Sequence, residues 1–264
     1  MNDSNSVDAQ QLFTGPAGER ITIDLPPPES ALVIVAHPDD AEFHCGATLA
    51  KWARAGCTVH HLVLTDGSKG TWDRGMDQSV LVEVRKAEQR TAATILGGTG
   101  VVFLGKIDGE LNSDRETRAQ VSAIIRRLKP EVILGHDPWK RYRLHPDHAA
   151  AGRLCIEGIV AARDPFFHPE QLVDGITPHR PEALLLFEPD QPNHAETVSE
   201  QDLQLQIDAL LAHESQIETT HLYKSAAADP LQQFRIEQFE RHERLGQWAS
   251  VPLAQQFHLL TEQL

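Results

Sequence analysis

Two short runs in this chain gather imidazoles and carboxylates: His37-Pro38-Asp39-Asp40 and His145-Pro146-Asp147-His148. Imidazole nitrogen and carboxylate oxygen are the donors that catalytic Zn2+ takes, with three protein groups bound and a fourth position left to water. Neither run contains cysteine, which points away from a closed structural site. We read His37 and Asp40 as two ligands of a divalent metal, His148 as the third, and Asp39 as a general base beside it. Pro38 helps to turn the chain so that residues three apart close on one ion. An ionised Asp39 only accepts hydrogen bonds and can take a proton from water. Either run alone reads more readily as a solvated turn. Their joint placement is what favours a site.

That placement follows from the elements around them. Ala31–Ala36 is a short apolar run rich in β-branched residues, as in a strand buried on both faces. A helix is expected from about Cys45 to Ala55, a second strand over Val59–Thr65, and a long helix over Ser79–Leu96. Strand Val101–Leu104, helix Arg115–Leu128, strand Val132–Leu134, helix Asp147–Ala162 and strand Ala183–Phe187 continue the alternation. The stretch 188–197 reads as a loop, and Gln201–His213 and Phe234–Leu245 as late helices. Strands alternating with helices mean an α/β fold with a mostly parallel sheet flanked by helices, in a single domain over residues 21–264. Residues 1–20 read as a flexible tail, and Ile21–Leu25 as an added edge strand stopped by Pro26-Pro27-Pro28. Ligands of such sheets bind beyond the carboxyl ends of the strands, where both His/Asp runs fall.

Composition narrows the class. A chain of 264 residues needs no staples for its core. The formal net charge of −14 argues against nucleic acid or an anionic membrane as partner, since both select basic surfaces. Three widely spaced cysteines, Cys45, Cys57 and Cys155, do not make a disulfide framework and fit a reducing cytoplasm. The first 20 residues lack the basic start and apolar stretch of a signal peptide, and no apolar run is long enough to span a bilayer. Isolated apolar residues such as Trp139, Phe166 and Phe167 leave room for a homo-oligomer.

Ala36 to Glu42 and the run His145-Pro146-Asp147-His148 resemble the PIG-L/LmbE family of zinc-dependent de-N-acetylases. Thr65-Asp66-Gly67, Val84-Arg85 with Glu88, Phe103-Leu104-Gly105 with Asp108-Gly109, and His213 with Ser215-Gln216 are similar to its further motifs, so the likeness covers about residues 31–216. The resemblance implies a Rossmann-like fold and removal of an N-acetyl group from a small amino-sugar substrate or related amine. It implies zinc on His37, Asp40 and His148, although Fe2+ suits the same donors. It assigns the general base to Asp39, and makes His145 the residue that assists the oxyanion or the leaving amine, with Asp147 holding His145 charged.

Arg85 and Asp108 are the substrate candidates, since either can bind sugar hydroxyls; an ordinary helix-face arginine and turn aspartate read as well. Arg143, with Arg141, can clamp an anionic substituent or simply be solvated. His44 stands where many relatives carry glycine. It can narrow the pocket, bind metal incidentally or face solvent. Competing readings are a metal-dependent phosphoesterase, an amidase for a non-sugar, thiol-conjugate-like amide, a nucleotide-binding module and an inactive metal binder. A two-metal phosphatase needs more bridging carboxylates than these runs supply. No GxGxxG follows the first strand, and Asp39 and His145 are intact.

Overall fold

The computed structural model describes residues 12–14, 20–221, 227–262 and 264. Its strands are β1 Leu12–Thr14, β2 Arg20–Ile23, β3 Ser30–Val35, β4 Thr58–Thr65, β5 Gly100–Lys106, β6 Val132–His136, β7 Ala183–Phe187, β8 His194–Thr197 and β9 Ala254–Leu260. Its helices are α1 Asp40–Arg54, α2 Gln78–Ile95, α3 Arg115–Leu128, α4 Pro146–Arg163, α5 Glu200–Leu211 and α6 Pro230–Ala249. The strands form one sheet in the order β1-β2-β8-β9-β7-β6-β3-β4-β5. From β3 the chain winds outward through β4 and β5, then returns to β6 on the other side of β3 and continues to β7, all in parallel. The winding reverses between β3 and β6, and a crevice opens at the carboxyl ends of those two strands. Both His/Asp runs are delivered there.

Strand β3 explains why its sequence is apolar throughout. Ala31, Val33 and Val35 enter the core under α1, α2 and α5. Leu32 and Ile34 enter the core under α3 and α4. The fold is a single α/β domain, as expected. The expected first helix, however, begins five residues early, at Asp40 itself, so the carboxylate lies in the first turn of α1. No helix among the described residues is long and apolar enough to cross a membrane.

Two strands differ from the sequence reading. The expected loop 188–197 contains β8, and β9 follows α6; β9 runs antiparallel between β7 and β8. The expected edge strand is interior, because β8 pairs with one side of β2 and β1 with the other. Residues 12–14 of the expected tail thus form β1; residues 1–11 and 15–19 lie outside the described residues. Polar β8 is buried because its side chains are partnered. His194 Nδ1 lies 2.7 Å from Thr22 Oγ1, and its Nε2 lies 3.0 Å from Glu196 Oε1. Glu196 Oε2 takes Lys51 Nζ at 2.8 Å, and Lys51 also reaches Asp24 at 2.5 Å. Asp24 in turn accepts the backbone and hydroxyl hydrogens of Thr197.

A second buried ion sits at the back. Arg126 of α3 is fully buried, and the carboxylates that act on it are those of Glu170 and Asp164. Its guanidinium donates to the carbonyls of Ala161, Ala162, Asp164, Phe167 and His168 and to Gln171 Oε1, at 2.7 to 3.1 Å. Five fixed N–H groups suit this fan of acceptors in a way an ammonium cannot. It ties the excursion after α4 to α3.

Helix α4 approaches the end of β6 backbone to backbone at Gly152. A Cβ there would lie 2.6 Å from the His136 carbonyl oxygen and 2.9 Å from Pro138 N. Gly152→Ala is therefore expected to cost about 1–3 kcal/mol in urea unfolding, and to displace His148 one turn earlier. An unchanged midpoint would show that α4 can yield. The Asp24–Lys51–Glu196 chain predicts a pH effect. Burial pushes Asp24 up, but Lys51 and Thr197 outweigh it and the net direction is down. A carboxyl depressed in the folded state stabilises above its unfolded pKa of about 4, and that contribution is lost as pH falls through the folded value. Between about pH 6 and pH 2 the urea midpoint of Asp24→Asn should therefore fall less steeply than that of wild type; parallel slopes would refute this.

Candidate active site

His37 leaves β3 after Ala36, and the next turn is sharp. Asp39 has φ 99°, a left-handed conformation, and α1 starts at Asp40. The turn folds the Asp40 carboxylate back, so that its Oδ2 accepts the His37 backbone N–H at 2.8 Å. The other oxygen, Oδ1, lies 3.3 Å from Nε2 of His148, which α4 brings in beside β6. His148 Nε2 lies 3.2 Å from His37 Nδ1, and His37 Nδ1 lies 3.4 Å from Asp40 Oδ2. Metal–ligand bonds of about 2.0–2.1 Å in a tetrahedron put neighbouring ligand atoms about 3.3 Å apart. The three residues named from sequence are thus brought together, Asp40 meeting each histidine through a different oxygen, and the donor groups that could hold an ion here also draw in His145 beside His37 and His148, and His136 beside Asp40 and His148.

The donor chemistry fits as well. His37 Nε2 lies 3.2 Å from Asp147 Oδ2 and 3.3 Å from Asp108 Oδ1. A proton held on Nε2 by these carboxylates leaves Nδ1 with its lone pair toward the ion, the usual support for a ligating histidine. Burial disfavours the imidazolium, yet Asp108, Asp147 and Asp40 outweigh it and hold His37 well above its ordinary range. Uptake of a cation here therefore displaces a proton.

This arrangement corrects the expected role of Asp147. Its carboxylate is fully buried, accepts the backbone N–H groups of Gly109 at 2.6 Å and Leu111 at 3.1 Å, and faces His37. His145 is not its hydrogen-bond partner. Nor does Asp147 cap α4, because His145 takes that position. His145 is half-exposed at the mouth, its ring edge-on to His37 at 4.5 Å and its Nε2 4.0 Å from Asp108 Oδ1. Burial first, then His37 and His148, push its pKa down. Asp147 and Asp108 pull it up without reversing that direction.

Asp39 is held from α2. Its backbone N–H donates to Gln89 Oε1 at 2.9 Å. Arg85, one turn before Gln89, donates to the carbonyls of Pro38 at 2.6 Å and Gly67 at 2.9 Å, and its Nη2 lies 3.4 Å from Asp39 Oδ2. Arg85, expected to bind substrate, lines the cavity; its Nη groups hold the loop carbonyls, while its buried Nε has no hydrogen-bond partner among the described residues. Gln89 escaped the sequence reading. The available signal was two polar residues four apart on the buried face of α2, in line with Leu81 and Ala92. Behind it, Gln89 Nε2 donates to Glu42 Oε1 at 2.7 Å, and Glu42 Oε2 lies 3.5 Å from His213 Nε2. Burial raises the Asp39 carboxyl to about 6, against the pull of Arg85 and His213.

These groups floor an open cavity of about 520 Å³. Asp108 lines it, with Oδ2 accepting the Lys69 backbone N–H at 3.1 Å. His44 lines the opposite wall, stacked on Phe187 with ring centroids 4.8 Å apart. Burial pushes its pKa to about 3, so it narrows the pocket as a neutral ring. Arg143 lies between two partners. Its Nη2 donates to Glu188 Oε2 at 2.5 Å and its Nη1 to His148 Nδ1 at 2.8 Å. Arginine can only donate, so this bond makes His148 Nδ1 an acceptor and places the neutral ring's proton on Nε2. Were His148 to hold a metal through Nε2, its ring proton would sit on Nδ1, where it would face the Arg143 donor. Glu188 and Arg241, the latter 3.7 Å from Glu188, complete this wall and were not singled out from sequence. His136 was also missed as a site residue; fully buried at the end of β6, its Nε2 lies 3.3 Å from Asp40 Oδ2.

The comparisons with known proteins agree with this geometry. The family model PIG-L, described as GlcNAc-PI de-N-acetylase, matches residues 32–159. A diacetylchitobiose deacetylase of Thermococcus kodakarensis is 36% identical over 188 residues, which are 71% of this chain and 70% of that protein. A 4-oxalmesaconate hydratase of Pseudomonas putida is 30% identical over 175 residues, covering 64% of this chain and 65% of that protein. The structure of an N,N'-diacetylchitobiose deacetylase from Pyrococcus horikoshii superposes with a TM-score of 0.79 at 27% identity, covering 90% of this chain and 87% of that one. With both His/Asp runs inside the matched span and converging at the sheet's reversal point, the chain belongs to the PIG-L family.

Proposed function

We propose that this chain is a zinc-dependent hydrolase that removes the acetyl group from the nitrogen of an amino sugar, its glycoside or a sugar conjugate. One observation carries the reading. A buried carboxylate, Asp39, is clamped by Arg85 and Gln89 and lines the same cavity as His37, Asp40 and His148, whose imidazole and carboxylate donors meet at 3.2 to 3.4 Å. Zn2+ on His37, Asp40 and His148 would supply an acidified water and polarise the acetamide carbonyl, and Fe2+ suits the same donors.

The chain's own groups then have distinct tasks. Asp39 takes the proton of the attacking water and returns it to the nitrogen as the C–N bond breaks and the C–O bond forms. His145, at the mouth, offers a ring N–H to the carbonyl oxygen as negative charge gathers there. Asp108 and Asp147 keep His37 in the tautomer that ligates. Arg85 and Gln89 hold Asp39 in place. The products are acetate and a free amine. The likeness to named deacetylases of N-acetylated sugars supports the reading. The hydratase likeness marks the alternative that acetate release discriminates, because addition of water to a double bond releases nothing.

Two outcomes test it. Asp39→Asn should retain one bound metal and lose acetate release from an N-acetyl amino-sugar panel by about 10²–10⁴-fold; wild type that binds metal yet frees no acetate from any member refutes the deacetylase. Arg143→Ala removes the donor that opposes ligation by His148, and about tenfold tighter Zn2+ binding is expected, the worth of one hydrogen bond to a charged group. Competition with a chromogenic chelator measures it, and weaker binding would show that Arg143 supports the metal instead.

A further inference from the structure

We propose that a second pocket beside the active site is an accessory sugar-binding subsite, which holds a further pyranose of an oligosaccharide whose acetamido group lies at the metal. The proposal rests on the deacetylase reading above. The pocket, of about 310 Å³, lies between the loop after β6 and the loop after β7. Leu186 and Leu260 contribute apolar surface, and Trp139, Arg141, Asp190 and His258 are among its other walls.

The two cavities draw their walls from the same two loops. Along the loop after β6, Trp139 and Arg141 line this pocket and Arg143 lines the active-site cavity. Along the loop after β7, Asp190 lines this pocket and Glu188 the other. In each loop the two cavities are served by residues two apart, a span of at most about 7 Å of backbone. A chain of sugar rings leaving the first cavity over the Arg143–Glu188 pair enters the second.

The chemistry of the walls suits a pyranose. Trp139 is 67% exposed, a large apolar face kept in water beside the catalytic mouth. Such a face is matched by the C–H face of a sugar ring, while planar polar groups at the edge suit its hydroxyls. The edge supplies them. His258 Nδ1 donates to the Gln191 carbonyl at 2.7 Å, which leaves Nε2 as an acceptor. Arg141 is largely exposed, and its Nε lies 3.6 Å from Asp190 Oδ2.

The frame is fixed before any ligand arrives. Asp137 Oδ1 accepts the Trp139 backbone N–H at 2.8 Å. Asp190 accepts the Arg141 backbone N–H at 2.8 Å and pairs with Lys140 Nζ at 2.9 Å, so the two loops are cross-linked. Pre-ordered walls lower the entropy cost of binding.

The test uses full-length protein and N-acetylglucosamine oligomers of one to four rings. In an Asp39→Asn background, calorimetry should show the tetramer binding about tenfold more weakly when Trp139→Ala is added, as expected for a lost stacking contact, with monomer binding unchanged. In the catalytically intact protein, Trp139→Ala should raise KM for the tetramer by a similar factor and leave kcat and monomer turnover alone. Arg141→Ala should act in the same direction. Equal losses on monomer and tetramer, or none on either, overturn the subsite. If wild type frees no acetate at all, the deacetylase reading fails separately, and the tetramer's response to Trp139→Ala still decides whether this pocket binds sugar.

Discussion

The site depends on one strained residue. Asp39 takes a positive φ that a side chain with a Cβ adopts at a cost of about 1–3 kcal/mol. The gain is geometric. The turn lets His37 end a strand and Asp40 begin a helix only three residues later, and folds the Asp40 carboxylate back onto the His37 amide. Helix α2 holds the strained unit from outside through Gln89 on the backbone N–H and Arg85 on the preceding carbonyl. Glu42 holds Gln89 in turn. The His37–Asp40 pair, local in sequence, is therefore kept in register by a helix that begins some forty residues later.

Around this turn the protein sorts charge by depth. The chain is strongly acidic overall, yet the carboxylates nearest the site are each matched to a cation or an imidazole. Asp108 and Asp147 work from behind His37, while Arg143 and Arg241 neutralise Glu188 on the far wall. Burial alone would raise every one of these carboxyl groups. Where cations and donors outweigh it, as at Glu188, held down to about 2, the group stays ionised. Asp39 is the exception, raised by burial to about 6.

Much of the fold was legible because it rests on local pattern. The apolar run before His37 and the alternation of strands and helices identified the parallel sheet, and helix α3 and strand β7 begin and end where the sequence placed them. The two His/Asp runs were legible for the same reason. What escaped depends on distant partners. Strand β8 carries His194 and Glu196, which read as loop residues until Thr22, Leu25 and Lys51 satisfy them. Asp147 looked like a partner for its neighbour His145, whereas amides of the loop after β5 draw it toward His37. Arg85 looked free because nothing in its helix shows that two carbonyls from other loops wait for it.

Arg126 carries a consequence of a different kind. The excursion after α4 holds little regular structure and would ordinarily be the first part of such a domain to open. Here its carbonyls are the acceptors that a buried guanidinium must keep. Opening this loop would strand a charge inside the protein, so its opening free energy is tied to that of α3. A segment that reads as surface ornament thus unfolds with the back layer of the sheet, as one cooperative unit.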